Sequence, residues 1–171
     1  PFDAGRRSWS EEVDGPLLQR DQLHPTFNGE VALLARIEQA ANERFLGGLR
    51  IAAGRGAFVY GECGGYMALG RGLVDRDGTG HAMAGLLPLE SSFAAPRLHL
   101  GYRRARLLGD SPFGAAGQQM RGHEFHYATT IDEGPGPALF AIADADGRAL
   151  GEAGRVAGRV MGSFVHLIDR E

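Results

Sequence analysis

The sequence predicts an α/β domain, and three observations support this fold class. Apolar residues recur at spacings of three and four through 31–49, as in an amphipathic helix. The short β-prone run Phe58-Val59-Tyr60 precedes a glycine-rich turn and a second helical pattern. The second half of the chain holds several short β-prone runs bounded by glycine or proline. Helix, strand, turn and helix in this order are typical of α/β proteins.

Composition limits the class of protein. With 171 residues, 43% of them apolar, the chain is long enough for one sizeable core. Its 18 Lys+Arg and 21 Asp+Glu give a net charge of −3, which argues against general nucleic-acid binding. One cysteine excludes an internal disulfide and fits a reducing compartment. With no signal peptide and no apolar run near 18 residues, we expect a soluble cytoplasmic protein without membrane contact.

The N-terminal part is the least informative. Residues 1–29 are polar and irregular, with Pro16 and Pro25 as breakers. Asn28 then provides an N-cap for the first predicted helix, which frays or bends at Gly47-Gly48. The apolar face of this helix consists of Val31, Leu34, Ile37, Ala41, Phe45 and Leu49.

Cys63 lies at the apex of the glycine-rich turn. A strand, a sharp turn and a helix form the elbow that exposes a nucleophile, where flanking glycines leave room for the turn and for substrate. Here Gly61 and Gly65 would shape the elbow, and the positive end of the helix dipole would favour the thiolate. The Gly64 amide could donate to a developing oxyanion. A buried structural cysteine and a phosphate-binding turn remain alternatives.

The strands of the second half are predicted from local patterns. Asp75-Arg76-Asp77-Gly78 separates two β-prone runs and predicts a hairpin rather than a calcium loop, because the later calcium ligands are missing. Arg97–Leu108 alternates as a strand, and its arginines form either a solvated face or a contact surface for an anionic partner or another domain. Further strands are predicted within Gln119–Ile131, Ala138–Ala143 and Arg155–Val165.

A cysteine nucleophile needs a histidine base, and His166 is the best placed of six candidates. It follows a late apolar run and should lie at the C-terminal end of a strand, where α/β folds gather site residues. In 121–127, strand alternation puts Glu124 and His126 on one face and His123 on the other. Glu124 and His126 either line a polar cleft or form hydrogen bonds over the core. Because His123 and His126 lie on opposite faces, a metal site that uses both histidines is disfavoured.

Four ordered motifs together resemble the C-terminal glutamine amidotransferase domain of the cobyrinic or hydrogenobyrinic acid a,c-diamide synthase family, a triad-type class I amidotransferase. The similarity runs from about Ala57 to the C-terminus. The motifs are Gly61-Glu62-Cys63-Gly64-Gly65-Tyr66-Met67, Leu100-Gly101-Tyr102-Arg103, Gly122-His123-Glu124-Phe125-His126-Tyr127 and Gly162-Ser163-Phe164-Val165-His166-Leu167.

The resemblance implies a three-layer fold with a mainly parallel central sheet. Residues 57–171 would be the amidotransferase core, preceded by a poorly recognised segment, 1–56, with one helix. Cys63 would attack the side-chain amide of glutamine with His166 as its base. Gly64, Gly61, Gly65, Glu124 and His126 would form the oxyanion and glutamine site, without a metal or cofactor in this domain.

The resemblance also implies a partner for the ammonia. An N-terminal synthetase domain of the same protein would use ATP and Mg²⁺ to activate the a and c carboxylates of a corrinoid substrate. No G-x-x-x-x-G-K-[ST] motif occurs here, so this chain alone should not bind ATP in that way. The oligomeric state stays open, with a homodimer as one option.

Two departures from the family pattern concern the site. The family's Leu-Pro-Gly-Gly-Tyr-Pro-Glu oxyanion loop is absent, and the nearest segment is Gln22–Glu30. We therefore expect either a shortened piece of a longer protein that lacks some N-terminal strands, or divergence of this region. In many relatives a glutamate follows the histidine by two residues, but here that position is Ile168. Asp169 and Glu124 are the candidate acids, unless Cys63 and His166 act as a dyad.

Two other functions remain alternatives. Another thiol hydrolase, such as a γ-glutamyl peptidase, would share the elbow and act without a synthetase partner. A non-catalytic interaction domain would bury Cys63 and use the arginine-bearing strand for docking. An accessible, thiolate-prone cysteine would favour catalysis over the interaction domain.

Overall fold

The computed structural model describes residues 44–171. The predicted N-cap at Asn28, the helical positions before residue 44 and the segment Gln22–Glu30 lie outside the described residues. Two helices are described, α1 over 44–54 and α2 over Gly64–Leu69. The strands are β1 Val59–Glu62, β2 Gly72–Val74, β3 Gly80–Ala82, β4 Leu89–Ser92, β5 His99–Leu107, β6 Gln119–His126, β7 Thr129–Glu133, β8 Phe140–Ala143, β9 Ala149–Ala153, β10 Arg155–Ala157, β11 Val160–Ser163 and β12 Val165–Arg170.

The first sheet has the order β1-β11-β10 and carries the elbow. Strands β1 and β11 are parallel, with Gly61 opposite Gly162 and Glu62 opposite Ser163. Strand β10 joins β11 as an antiparallel hairpin, because Gly158 turns the chain with a φ of 61°. The predicted run Arg155–Val165 therefore forms two paired strands and the first residue of β12.

The second sheet has the order β12-β6-β5-β8-β9, and all its pairs are antiparallel. Its centre is the long β5, which confirms the strand predicted within Arg97–Leu108. His166 of β12 lies opposite His123 of β6, which in turn lies opposite Tyr102 of β5. Directly opposite residues share a face of an antiparallel sheet, so these three side chains form one row.

The third sheet has the order β3-β2-β4-β7. Strands β2 and β3 form the predicted hairpin, with Leu73 opposite His81. The Asp75 carboxylate closes its turn by accepting hydrogen bonds from the amides of Asp77 and Thr79, both at 2.9 Å, and it pairs with His81 at 2.7 Å. Side-chain bonds of this kind are why aspartate favours turns.

Strand pairing is mixed rather than mainly parallel. In the described part of the chain, parallel pairing is found for β1 with β11 and for β2 with β4, whereas the other ladders are antiparallel. Short connections explain this difference, because a tight turn can join only antiparallel strands and a parallel pair needs a long crossover. The expected layers are found around β1 and β11, where α2 packs on one side of β11 and the five-stranded sheet on the other.

Two apolar clusters lie on either side of β11. Val160 packs with Tyr66, Met67 and Leu69 of α2 in the first cluster, whereas Met161 packs with residues of the five-stranded sheet in the second. Successive strand residues point to opposite faces, so one short strand joins both clusters. Arg50 connects helix α1 to the segment after β3, because its guanidinium donates to the carbonyls of Ala84 and Met83 at 2.9 Å. Met83 belongs to the first cluster. Among residues 44–171, no helix has the length and apolar character needed to cross a membrane.

Candidate active site

Cys63 forms the sharp turn between β1 and α2. Its backbone has φ 51° and ψ −109°, and among the described residues it is the one non-glycine with a positive φ. The Cys63 amide donates to the Ser163 carbonyl at 2.9 Å, and its carbonyl accepts from the Met67 amide at 3.1 Å. Such a conformation is strained for a residue with a Cβ and persists where the surroundings enforce it. The sequence prediction of a strand, elbow and helix is confirmed, with α2 shorter than two turns.

The glycines around Cys63 have different surroundings. A Cβ on Gly61 would lie 2.6 Å from the Gly65 carbonyl and 2.8 Å from the Tyr66 nitrogen, so the turn closes only with glycine there. A Cβ on Gly65 would meet nothing within 4 Å, which leaves open space beside the elbow. The amide of Gly64 belongs to the first turn of α2, where amides have no partner within the helix.

The thiol of Cys63 is held close to β6. The residue is 9% exposed, and its Sγ lies 4.0 Å from the Phe125 carbonyl oxygen. Phe164, between β11 and β12, packs edge-on against Tyr66 of α2 with ring centroids 5.3 Å apart. The elbow is therefore enclosed by β6, α2 and the β11–β12 junction.

His166 lies at the start of β12, three residues after the end of β11. Since β11 is the parallel partner of β1, the cysteine and the histidine follow neighbouring strand ends. The sequence predicted His166 at the C-terminal end of a strand, but β11 ends at Ser163 and His166 is the second residue of β12. The His166 ring stacks on His123, with centroids 4.9 Å apart and an interplanar angle of 16°. A Cβ on Gly122 would collide with the His166 carbonyl, so β6 and β12 approach closely here because residue 122 is glycine. A third of the His166 side chain is exposed.

Glu62 is an acidic neighbour of His166 that the sequence analysis did not consider. Its Oε2 lies 3.6 Å from His166 Nδ1. Its Oε1 accepts hydrogen bonds from the Leu167 amide at 3.0 Å and from the Tyr60 hydroxyl at 3.1 Å. Burial, followed by the charge of Glu62, raises the pKa of the Tyr60 hydroxyl, which keeps this donor protonated.

The charge of Glu62 is favoured by these contacts. Burial alone would raise the pKa of the Glu62 carboxyl, but its contacts with His166, the Leu167 amide and the Tyr60 hydroxyl outweigh burial and lower the pKa below its ordinary value of 4.5. Glu62 is therefore a carboxylate at neutral pH, facing the ring of His166.

Glu124 and His126 lie on the other face of β6 from His123 and His166, as strand alternation predicts. His126 is buried, donates from Nδ1 to the Ala128 carbonyl at 3.0 Å, and stacks between His99 and Phe164 at centroid distances of 4.6 and 4.1 Å. Its Nε2 is 3.8 Å from Glu124 Oε1, an ion-pair separation longer than a hydrogen bond. His126 therefore packs directly against Phe164, and Glu124 lies behind it.

The two acids considered from the sequence as partners of His166 are paired with arginines. Asp169 receives two hydrogen bonds from Arg121, at 2.8 and 2.7 Å. Glu124 receives one from Arg103 at 2.6 Å, and His126 together with Arg103 lowers the pKa of its carboxyl against the opposing effect of burial. The sequence did not identify Glu62 as a partner of His166, because the acids predicted for this role lie in the motifs of the second half. Its position next to Cys63 was the one feature of the sequence that could have indicated it.

The predicted arginine cluster and the possibility of a metal site can be compared with the structure. Arg103 and Arg104, from the arginine-bearing strand, form ion pairs with Glu124 and Glu171, so part of that cluster has partners within the chain. Among residues 44–171, no group of three or more His, Cys, Asp or Glu side chains is arranged to hold a metal ion. The Cys63 thiol at the elbow, the His166 imidazole after the neighbouring strand and the Glu62 carboxylate that faces this imidazole are the kinds of group that nucleophilic acyl transfer uses.

Comparisons with known proteins identify the family of the chain. The model of the CobB/CobQ-like glutamine amidotransferase domain matches residues 27–171. The chain is 54% identical over 130 residues to a hydrogenobyrinate a,c-diamide synthase of Sinorhizobium sp, covering 76% of this chain and 29% of that protein. It is 52% identical over 129 residues to the synthase of that name from Rhodobacter capsulatus, covering 75% and 29%. The chain thus spans about 29% of the length of these curated relatives.

A solved structure supports the fold. The crystal structure of a glutamine amidotransferase superposes with a TM-score of 0.50 at 13% identity, covering 80% of this chain and 65% of that chain. At this identity the likeness concerns the fold, which is the amidotransferase fold expected from the sequence. The extent of the family match decides the assignment: the chain belongs to the CobB/CobQ-like glutamine amidotransferase domain family.

Proposed function

We propose that this chain hydrolyses glutamine and supplies the ammonia to an a,c-diamide synthase reaction on a corrinoid. One observation carries the proposal: Cys63 occupies a strained elbow after β1, and His166 follows β11, the parallel partner of β1. A strained cysteine at the end of one strand and a histidine after its parallel neighbour are an arrangement suited to acyl transfer, whereas a structural cysteine has no need of backbone strain. The family membership and the relatives named hydrogenobyrinate a,c-diamide synthase support the same function.

In the first half-reaction, the Cys63 sulfur attacks the side-chain carbonyl carbon of glutamine. His166 accepts the thiol proton and then delivers it to the amide nitrogen. The carbon–nitrogen bond breaks, ammonia leaves, and a γ-glutamyl thioester remains on Cys63. The Gly64 amide donates to the oxyanion, and losing one such donor typically reduces the rate on the order of a hundredfold to a thousandfold.

In the second half-reaction, water attacks the thioester carbon. His166 takes a proton from the water and returns it to the departing sulfur, so glutamate is released and the thiol is restored. Gly61 allows the tight turn, and the open space beside Gly65 leaves room for the substrate. His126 shapes the pocket indirectly by stacking on Phe164, and Glu124 acts through His126, 3.8 Å away.

The ammonia is proposed to serve a synthetase domain that binds ATP, Mg²⁺ and the corrinoid. The relatives extend well beyond the matched region, since the chain spans about 29% of their length. The sequence itself holds no P-loop motif for the phosphates. A reactive thiol also requires a reducing environment, which supports a cytoplasmic location.

One face of the five-stranded sheet is suited to receive this synthetase domain. Leu100 and Tyr102 of β5 are 63% and 70% exposed, although both are large and apolar in part. Tyr102 belongs to the same cross-strand row as His123 and His166. An exposed apolar face beside the proposed base favours a partner that covers the site, because a covered site prevents ammonia from escaping to solvent.

The test uses a glutamine-analogue electrophile and glutamate release. The wild-type chain should be labelled on Cys63 and should release glutamate from glutamine. Cys63→Ala should show neither result and keep a native circular dichroism spectrum. Full glutaminase activity in Cys63→Ala would overturn the proposal. Preferred hydrolysis of γ-glutamyl peptides would favour a peptidase, and an unreactive thiol would favour an interaction domain.

A second measurement addresses the proposed partner. The synthetase part of the Rhodobacter capsulatus relative, prepared without its matched region, should amidate hydrogenobyrinate with ammonium salts. Added to this chain, it should also accept glutamine as the nitrogen source. No glutamine-dependent product in the presence of an active glutaminase would contradict the assigned partner.

A further inference from the structure

We infer that Glu62, the residue immediately before the nucleophile, is the acid that positions His166 for catalysis. This inference rests on the proposed function, because it concerns the base of that reaction. It assigns the third member of the catalytic group to β1, in place of an acid that follows the histidine on β12. Glu62 touches neither the substrate nor the reacting atoms, so it is a positioning residue.

The first argument is how the Glu62 carboxylate is held. Its Oε1 is fixed by two donors, the Leu167 amide at 3.0 Å and the Tyr60 hydroxyl at 3.1 Å. This leaves Oε2 to face His166 Nδ1, 3.6 Å away. One donor is the amide that directly follows His166, so the same carboxylate fixes the backbone of β12 and faces the ring. Both contacts restrict where the imidazole can lie.

The second argument is the chemistry of an imidazole base. A carboxylate beside Nδ1 favours the tautomer with its proton on Nδ1, which leaves the Nε2 lone pair free to take the thiol proton. The same negative charge stabilises the imidazolium that forms while His166 holds this proton. The separation of 3.6 Å is longer than a hydrogen bond, and catalytic hydrogen bonds are often long in the absence of substrate.

The third argument is that the other nearby acids have different partners. Asp169 is bound by Arg121 through two hydrogen bonds, and Glu124 is bound by Arg103 on the opposite face of β6. The ionisable group that faces His166 from β6 is His123, which stacks on the ring and cannot supply negative charge. Glu62 is therefore the carboxylate that faces the base within the described structure.

The fourth argument is the location of Glu62 in the chain. Glu62 and Cys63 are consecutive, so the strand that ends in the nucleophile also carries the group that orients the base. Any shift of β1 relative to β12 would move both together. This arrangement fixes the thiol and the imidazole relative to each other through a single short segment, as catalytic geometry requires.

The experiment compares Glu62→Gln with Asp169→Asn, which removes the same charge from an exposed acid on β12. Glutamine keeps an oxygen that can accept from the Leu167 amide, so the fold should be retained. For Glu62→Gln we expect kcat to fall about 10- to 100-fold, with the KM for glutamine changed less than about threefold. Asp169→Asn should keep both constants within about twofold of wild type, and Glu62→Asp should recover part of the lost kcat.

Nitrogen NMR of the His166 ring gives a readout that needs no turnover. The wild-type protein should show the proton on Nδ1 at neutral pH, and Glu62→Gln should shift the population toward the other tautomer. Asp169→Asn should leave the His166 signals unchanged. Wild-type kcat and an unchanged tautomer in Glu62→Gln would overturn the inference. A wild-type chain that neither releases glutamate nor is labelled on Cys63 would instead refute the proposed function.

Discussion

Gly61 and Gly162 face each other across the parallel strands β1 and β11, directly before the elbow. A Cβ added to Gly162 would lie 2.5 Å from the Gly61 carbonyl oxygen and 2.7 Å from Cδ2 of Tyr66. The missing side chains allow α2 to pack down onto β11, with Tyr66 fully buried at the contact. The position of the nucleophile therefore depends on a glycine outside the elbow itself.

Gly162→Ala should destabilise the protein, because the added methyl group meets backbone atoms that cannot move aside. Overpacking of this kind typically costs about 1–3 kcal/mol. Gly65→Ala is the matched control for stability, since a Cβ there would meet nothing within 4 Å and alanine favours helix. Urea unfolding of both variants checks the prediction, and a Gly162→Ala variant as stable as Gly65→Ala would contradict it.

Replacement of Cys63 should report the strain stored at the elbow. Glycine adopts a positive φ without steric cost, whereas alanine keeps the Cβ that makes φ 51° unfavourable. We expect Cys63→Gly to be about 1 kcal/mol more stable than Cys63→Ala, in spite of the greater flexibility of glycine in the unfolded chain. Thermal unfolding of the two inactive variants provides the comparison. Equal stability would indicate that the turn relaxes around residue 63.

Tyr66→Phe should lower stability without a change in core volume. The Tyr66 hydroxyl donates to Glu133 at 2.6 Å, and Glu133 also pairs with Arg155 at 3.1 Å. Loss of one donor to a charged, partly buried acceptor typically costs about 1.5–3 kcal/mol. Tyr102→Phe serves as the control, because Tyr102 is 70% exposed and its change should be close to neutral. Chemical unfolding that places both variants at wild-type stability would be inconsistent with this network.

Glu124 should make stability depend on pH in the acidic range. Its folded-state pKa is lowered from an ordinary value of 4.5, mainly by His126, against burial and with further help from Arg103. The stabilising contribution is therefore complete above that ordinary value and is lost as the pH falls through the lower folded-state pKa. Glu124→Gln should be less stable than wild type at pH 7, with the difference shrinking below pH 4.5. A difference independent of pH would assign the effect to packing.

Tyr102 should matter for transfer of ammonia but not for its formation. If the exposed face of β5 receives the synthetase domain, Tyr102→Ser should leave glutamate release within about twofold of wild type. Glutamine-dependent amidation in the reconstituted system should fall about tenfold or more, as expected for truncation of an interface tyrosine. Amidation driven by ammonium salts should be unchanged. A fully active Tyr102→Ser mixture would place the interface on another surface.

Local patterns predicted a large part of this structure. The elbow around Cys63, the hairpin at Asp75 and the opposite faces of His123 and Glu124 were all derived from residues close together in the chain. Turn chemistry and strand alternation depend on neighbours in sequence, so they can be recognised without the fold. The role of each site residue stays a prediction until the variants are measured.

Local patterns did not determine how distant strands pair or in which direction. The late run Arg155–Val165 divides at Gly158 into two antiparallel strands, one of which is also the parallel neighbour of β1. The same β-prone pattern fits either direction of pairing, since both present alternate side chains to opposite faces. The mixed sheets were therefore beyond what periodicity could determine.

The sequence by itself determined the nucleophile candidate, its elbow and the family to which the chain belongs. The tertiary structure alone decided which acid faces the candidate base, because Glu62 and Leu167 are 105 residues apart and meet only where the end of β1 lies beside β12. A carboxylate has no sequence pattern that marks its partner, and its charge acts over a few ångströms in space rather than along the chain. The fold therefore brings together Glu62 and His166, which the sequence had left unconnected.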